Sequence, residues 1–141
     1  EIVLGDYDNM PLEKIHQNQD RKIFQGEKVV QYLKENGLPM VLASDTPSAP
    51  LYVSQPGYST YKELQHLFKA GLNYKEVLAA ATINNAKAFG LDNKYGTVEP
   101  GKVANLLLLN QNPLLTIDAY NAIDKVIVKG IAINRESLAV K

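Results

Sequence analysis

Apolar residues recur at helical spacing through the first two thirds of the chain and at strand spacing only in the last third. Ile23, Phe24, Val30 and Leu33 share one face of a 3.6-residue period, which predicts a helical stretch after Pro11, clearest from Asp20 to Asn36, with Gly37 just past its end. Gly26 weakens that helix, because an interior glycine costs backbone entropy. The segment from Glu1 to Pro11 has no periodicity and reads as loop. After Gly37 the pattern changes. Met40-Val41-Leu42-Ala43 is an unbroken apolar run without alternation, which predicts a strand over Met40 to Ser44 buried on both faces, as in a parallel sheet. Pro47 stops it, since proline has no N–H for a ladder. Helix, glycine and buried strand make half of a βαβ unit, so this part reads as α/β.

The stretch from Thr46 to Gly57 carries Pro47, Pro50 and Pro56 and is expected to be a loop. Thr60-Tyr61-Lys62-Glu63 has the form of a capping box, with Tyr61, Leu64, Leu67 and Phe68 as the buried stripe of a helix ending at Gly71. Asn73-Tyr74-Lys75-Glu76 starts another helix in the same way, with Val77, Leu78 and Ala81 inward. Thr82 is placed to cap a third, running through Phe89 to Gly90. Near Tyr95 the character shifts. Pro100-Gly101 fits the centre of a type II turn. Ala104 to Leu109 reads as a buried strand, Asn110 to Pro113 as a turn, and Lys125–Val128 and Ile131–Ile133 as strands joined by Lys129-Gly130. The expected division is therefore 1–92 and 93–141. Three or four short strands make a thin sheet with open edges, and a lone parallel strand lacks neighbours, so both regions are expected to need further pieces.

Composition narrows the function classes. Fifteen basic and fifteen acidic side chains cancel over 141 residues, with no like-charged block, which argues against nucleic acid and against an anionic membrane as partners. The aliphatic run Leu106 to Leu109 is too short to span a bilayer. No cysteine is present, so disulfides and thiolate metal sites are excluded. Glu1-Ile2-Val3-Leu4-Gly5 has no initiator methionine or signal-peptide pattern; the chain is expected to be part of a longer, cytoplasmic protein.

Asp45 is the candidate for chemistry. It ends the Met40 strand, and strand C-terminal tips are where α/β folds place reactive groups. A carboxylate there can bind a metal or act as a general base; it serves equally well as a helix N-cap or in an Asx-turn. Tyr52, Gln55 and Tyr58 follow on the next loop, as substrate contacts or as loop packing. His16 and His66 are not at ligand spacing and read as surface residues of helices. Gly101-Lys102 lacks the helix N-terminus or glycine-rich loop of a phosphate site and reads as a turn.

Ordered motifs then point to a family. Ser44-Asp45-Thr46, Glu76-Val77-Leu78, Ala81-Thr82 with Asn84, Ala86 and Lys87, Phe89-Gly90-Leu91, Gly96 to Lys102 with Ala104-Asn105-Leu106, Asn112-Pro113-Leu114, and Val126 with Gly130 together resemble the C-terminal part of metal-dependent amidohydrolases, in their imidazolonepropionase-like branch. The resemblance runs from about Asp20 to Arg135. It implies the end of a (β/α)8 TIM barrel, with Met40–Ser44 as its last strand, followed by part of a small β-sandwich. It implies a hydrolase that cleaves a C–N bond of an amide or cyclic amide using water activated by a divalent metal, zinc above all. Asp45 would be the aspartate that touches the metal, deprotonates the attacking water and protonates the leaving group. The family's other ligands, a His-x-His pair, a lysine or acidic residue and two further histidines, lie on earlier strands that the resemblance does not reach. Asn105 stands where the family has aspartate, a local structural change.

The expectation is a fragment of an enzyme with a small-molecule substrate. Alone it would be inactive and without a metal, and it would associate with its missing N-terminal part or with a second copy. The other class is a non-catalytic binding module that pairs its edges with a partner chain, with Asp45 merely capping.

Overall fold

The computed structural model describes residues 11–46, 57–134 and 138, and the side chains of all of these except 12, 15, 16, 18, 19, 22 and 23. They fall into two compact units, one within Glu1–Leu38 and Ala43–Gly71, the other within Pro39–Leu42 and Leu72–Lys141.

The first unit contains helices α1 (Leu12–Glu35) and α2 (Tyr58–Lys69). α1 begins directly after Pro11, whose ring supplies a helix-compatible φ of −54° at the cap. It ends as the sequence predicts. Gly37 adopts a left-handed φ of +63°, its N–H reaches the Lys34 carbonyl at 3.0 Å, and the Leu38 N–H reaches that of Leu33 at 2.9 Å. This is the paired-bond ending that glycine makes possible. The apolar stripe is more open than expected, with Phe24 56% exposed under the Lys28 ammonium. α2 corrects the expected capping box. The helix starts at Tyr58 after Gly57, at φ +85°, so Thr60 and Glu63 lie inside it and no side chain caps the start. The four-residue pattern is local, and a glycine that turns the chain two residues earlier overrides it. Leu64 and Ala70 are buried, whereas Phe68 is exposed. Lys34 Nζ donates to the Gly71 carbonyl at 2.6 Å.

The second unit contains α3 (Tyr74–Ala81), α4 (Ile83–Ala88) and an antiparallel sheet of β1 (Leu106–Leu109), β2 (Ile123–Val128) and β3 (Ile131–Ile133) in that order. The capping box at Asn73 forms: its side chain accepts from the Glu76 N–H at 3.0 Å, and the Glu76 carboxylate accepts from the Asn73 N–H at 2.7 Å. Thr82 corrects the expectation of a side-chain cap on α4, because its hydroxyl turns back to donate to the Leu78 carbonyl at 2.6 Å. Gly90 and Leu91 close α4 with the same pair of bonds as Gly37 and Leu38. Leu72, Val77, Ala80, Ala86, Ile117 and Ala119 form the core.

Gly96 lies where a Cβ would stand 2.9 Å from both the Ile83 Cα and the Ala86 Cβ, with φ at +96°, so only glycine lets this turn lie on α4. The Pro100-Gly101 turn has the type II signature, with Gly101 at φ +87° and the Lys102 N–H on the Glu99 carbonyl. Lys129 and Gly130 are both at positive φ, 51° and 82°, as the type I′ loop between β2 and β3 requires. Val126 pairs with Leu107 on one side and Ile133 on the other. β1 is not buried, contrary to the sequence reading: Leu107 is 51% and Leu108 44% exposed. Both faces of an all-leucine strand are apolar, and only a second layer would cover them. A short 3-10 turn over Ile117–Asn121, held by the Thr116 hydroxyl on the Asp118 N–H, escaped the sequence reading altogether.

Candidate active site

The run from Met40 to Ser44 does not form a strand; among the described residues it pairs with no ladder. A strand exists only through neighbours, and here side chains stand in for one. In the second unit, the Leu42 N–H donates to the Ala80 carbonyl at 3.0 Å, the Asn85 Nδ2 donates to the Leu42 carbonyl at 3.0 Å and to Ala80 at 2.9 Å, and the Asn84 Nδ2 donates to the Met40 carbonyl at 2.9 Å. The bonded residues, 40 and 42, are two apart, as on one edge of an extended chain. The Ala80 carbonyl is available because α3 stops at Thr82, and a helix leaves its last carbonyls without helical partners.

Three residues beyond Leu42 comes Asp45, exposed and at φ +48°. A left-handed conformation is tolerated by aspartate better than by most residues, but it still carries strain, and such strain clusters at functional positions. On either side of Asp45 the Ser44 and Thr46 hydroxyls bond to each other at 2.9 Å. Among the described residues Asp45 caps no helix, since α2 begins only at Tyr58 behind Gly57.

The other sequence candidates are dispersed. Tyr58 is the first residue of α2, 56% exposed, with the Lys62 ammonium over its ring. Tyr52 and Gln55 lie outside the described residues. His66 is exposed in the last turn of α2, where a cation suits the helix dipole. His16 belongs to α1. Lys102 is committed to the Thr97 hydroxyl and to the Glu99 carboxylate at 3.3 Å, in keeping with a turn. Asn105 accepts from the Lys129 N–H at 2.8 Å through its side-chain oxygen, an atom that an aspartate would also supply. Among the described residues no group of three or more His, Cys, Asp or Glu side chains is arranged to hold a metal. A zinc-type site needs three or four ligands, so the residues present do not by themselves fit one.

Sequence reasoning missed two features. One is Asn85, beside the Asn84 of the motif; two consecutive amides inside a six-residue helix, where asparagine is a poor helix former, were the available signal. The other is an apolar cavity of about 640 Å3 in the second unit, lined by Leu78, Phe89, Leu91, Val98, Val103 and Leu106 among others.

Comparison with known proteins fixes the class. The amidohydrolase family profile matches residues 19–133, and the chain belongs to the amidohydrolase family. It is 36% identical over 101 residues to an imidazolonepropionase of Geobacillus thermodenitrificans, covering 70% of this chain and 23% of that protein. It is 26% identical over 110 residues to a 5-methylthioadenosine/S-adenosylhomocysteine deaminase of Teredinibacter turnerae, covering 75% of this chain and 25% of the relative. A crystal structure from Bifidobacterium longum, of a protein assigned as a prolidase, superposes with a TM-score of 0.63 at 34% identity, over 74% of this chain and 25% of that one. The chain thus spans about a quarter of the length of these relatives. No helix among the described residues is long and apolar enough to cross a membrane.

Proposed function

We propose that this chain is the C-terminal quarter of a hydrolase that cleaves a C–N bond of an amide or cyclic amide, and that Asp45 is its catalytic carboxylate. The observation that carries the reading is Asp45 itself: exposed, in a left-handed conformation, three residues beyond an anchored backbone, in a chain of amidohydrolase sequence. Met40–Ser44, which pairs with no strand among the described residues, is read as the segment that would become the last strand of a (β/α)8 barrel once the rest of that barrel is present, with residues through 92 completing its end. Residues 93–141 are read as part of a small β-sandwich. The Asn84 and Asn85 bonds to this segment support the first assignment, since they occupy strand-edge groups. The open β1 supports the second.

The chemistry proposed for Asp45 is that of a carboxylate that takes up a proton and gives it back. Asp45 takes a proton from water as the water oxygen attacks the amide carbon. As the C–N bond breaks, it returns that proton to the departing nitrogen, so that the carboxylate is regenerated. Tyr52, Gln55 and Tyr58 are the proposed substrate contacts beside it. The family resemblance implies a divalent metal, zinc, which would supply Lewis acidity to the same water. Asp45 would be one donor, and the others would come from outside the described residues. The chain alone is therefore inactive. Its open sheet would be covered by the rest of its polypeptide or by a second copy. The open sheet also suits a second reading, a non-catalytic module that pairs with a partner chain.

The test is to express the full reading frame that encodes this segment and this chain alone, and to give both imidazolonepropionate and a Xaa-Pro dipeptide. The expected result is hydrolysis of one probe by the full-length protein, with bound divalent metal, and none by the chain alone. A full-length protein that cleaves neither probe and holds no metal would favour the partner-binding module.

A further inference from the structure

We propose that the bond between Asn36 and Gly37 is a site of spontaneous deamidation that the closed end of α1 holds in check, so that the modification records the opening of that end. No other asparagine of the chain is followed by glycine. The chemistry needs only water. The Gly37 backbone nitrogen, once it has given up its proton, attacks the Asn36 Cγ. A bond forms between them, the Cγ–Nδ2 bond breaks, and the side-chain nitrogen leaves as ammonia with the proton. Water then opens the five-membered imide at either carbonyl. One opening gives aspartate; the other gives isoaspartate, in which the main chain runs through the former side chain. Nothing is oxidised or reduced. Glycine favours the attack because it has no Cβ to crowd its nitrogen. Asn36 is exposed, and a Cβ placed on Gly37 would meet nothing within 4 Å, so the site is open to water.

The folded end of α1 opposes each step. The Gly37 N–H is engaged with the Lys34 carbonyl at 3.0 Å, which ties up the attacking nitrogen. The Asn36 Nδ2 donates to the Tyr32 carbonyl at 2.8 Å, so the side chain is drawn back along the helix. Ring closure requires the Cβ and the following nitrogen on the same side of the Cα–C bond. At a ψ of 6° the Gly37 nitrogen lies over the nitrogen of Asn36 instead. The Leu38 N–H on the Leu33 carbonyl and the Lys34 ammonium on the Gly71 carbonyl hold the same turn down. These bonds must part before the ring can form. A helix end opens at far lower free energy than the whole fold, so the reaction waits on local opening. Its products do not close again in the same way. A carboxylate no longer donates to the Tyr32 carbonyl, and its charge stands at the negative end of the helix dipole. Isoaspartate lengthens the backbone by one carbon and moves Gly37 out of register with Lys34. A passing opening thus becomes a lasting change.

The test uses the full-length protein that carries this segment, incubated at neutral pH both folded and in urea. Peptide mass spectrometry separates asparagine, aspartate and isoaspartate at each position. In urea, Asn36 should convert faster than every other asparagine of the segment. In the folded protein its conversion should be slower by roughly 10-fold or more. Lys34→Met, which removes the Gly71 bond, should raise the folded rate several-fold and leave the rate in urea unchanged. Asn36→Asp reproduces one product, and the Gly37 and Leu38 amides should then exchange with solvent several-fold faster than in wild type. Conversion of Asn36 no faster than that of the other asparagines in urea would overturn the site. Equal rates folded and in urea, or an unchanged folded rate in Lys34→Met, would overturn control by the end of α1. Unchanged amide exchange in Asn36→Asp would overturn the lasting effect. None of these readouts involves turnover, so each outcome stands apart from the role of Asp45.

Discussion

The corner between α3 and α4 closes on itself, whereas the sheet of β1, β2 and β3 in the same unit leaves its side chains open. At the corner the backbone groups around the Thr82 break are matched, by the Thr82 hydroxyl, by Asn85 and by the Leu42 N–H, and Val77 and Ala80 have no exposure at all. In the sheet, the strands pair with one irregularity, between Leu108 and Leu109, yet Leu107, Leu108 and Ile131 are 51%, 44% and 72% exposed. One region is a finished piece of packing; the other has the hydrogen bonds of a sheet without the apolar layer that would make it a core. The finished piece also holds Met40 and Leu42 through the Asn84 and Asn85 side chains.

The sharpest way to break the finished corner is Gly96→Ala. A methyl group there meets the Ile83 backbone and the Ala86 side chain at 2.9 Å, and the backbone is held at φ +96°. The combined clash and strain should cost about 2–4 kcal/mol, read as a lower denaturation midpoint. A loss below about 0.5 kcal/mol would mean that the corner yields. Asn73→Ala removes one half of the capping box at the start of α3 and should cost about 1 kcal/mol in the same measurement.

Tyr120 gives a pH handle on the same unit. Its hydroxyl is buried without a hydrogen-bond partner among the described residues, and burial pushes it above its ordinary value of 10.0. The fold therefore retains this proton to higher pH than the unfolded chain does. Stability from this group is undiminished below pH 10.0 and falls as the pH rises through the folded value. Tyr120→Phe should flatten that alkaline decline and be near neutral at pH 7, because it removes an unpartnered polar atom. A decline as steep in the variant as in wild type would assign it to other groups. The smallest effect belongs to the open sheet. Leu107→Ser in this chain should change stability by less than about 0.5 kcal/mol, as for an exposed position. A cost above about 1 kcal/mol would show that β1 is covered after all, and the contrast between the two regions would disappear.

The same contrast explains what could be read from sequence. Gly37, Gly90, the Asn73–Glu76 box, Pro100-Gly101 and Lys129-Gly130 were legible because each is decided within a few residues by φ preference or by a single local bond. Thr60-Glu63 looked like a start signal, and the left-handed Gly57 before it determined the start instead. The run at Met40 was read as a strand because its composition suits one; the bonds that hold it come from Ala80, Asn84 and Asn85, far along the chain, and no local pattern contains them. Burial of β1 failed for the same reason, since it depends on what lies over the sheet. In the proposed site, Asp45 was legible as a candidate from its abrupt place after an apolar run, and its role is a proposal. Asn85 was not legible, although its neighbours Asn84 and Ala86 stood out as a motif, because a side chain that substitutes for a strand has no periodicity.

The central claim is that Asp45 performs chemistry. It is tested most directly by steady-state kinetics and a melting curve on full-length wild type and Asp45→Asn, a change that keeps size and removes the proton-accepting charge. The account predicts a fall in kcat of roughly two to four orders of magnitude, the scale of a lost general base, with a melting temperature close to wild type. Unchanged turnover in the Asp45→Asn protein would contradict it.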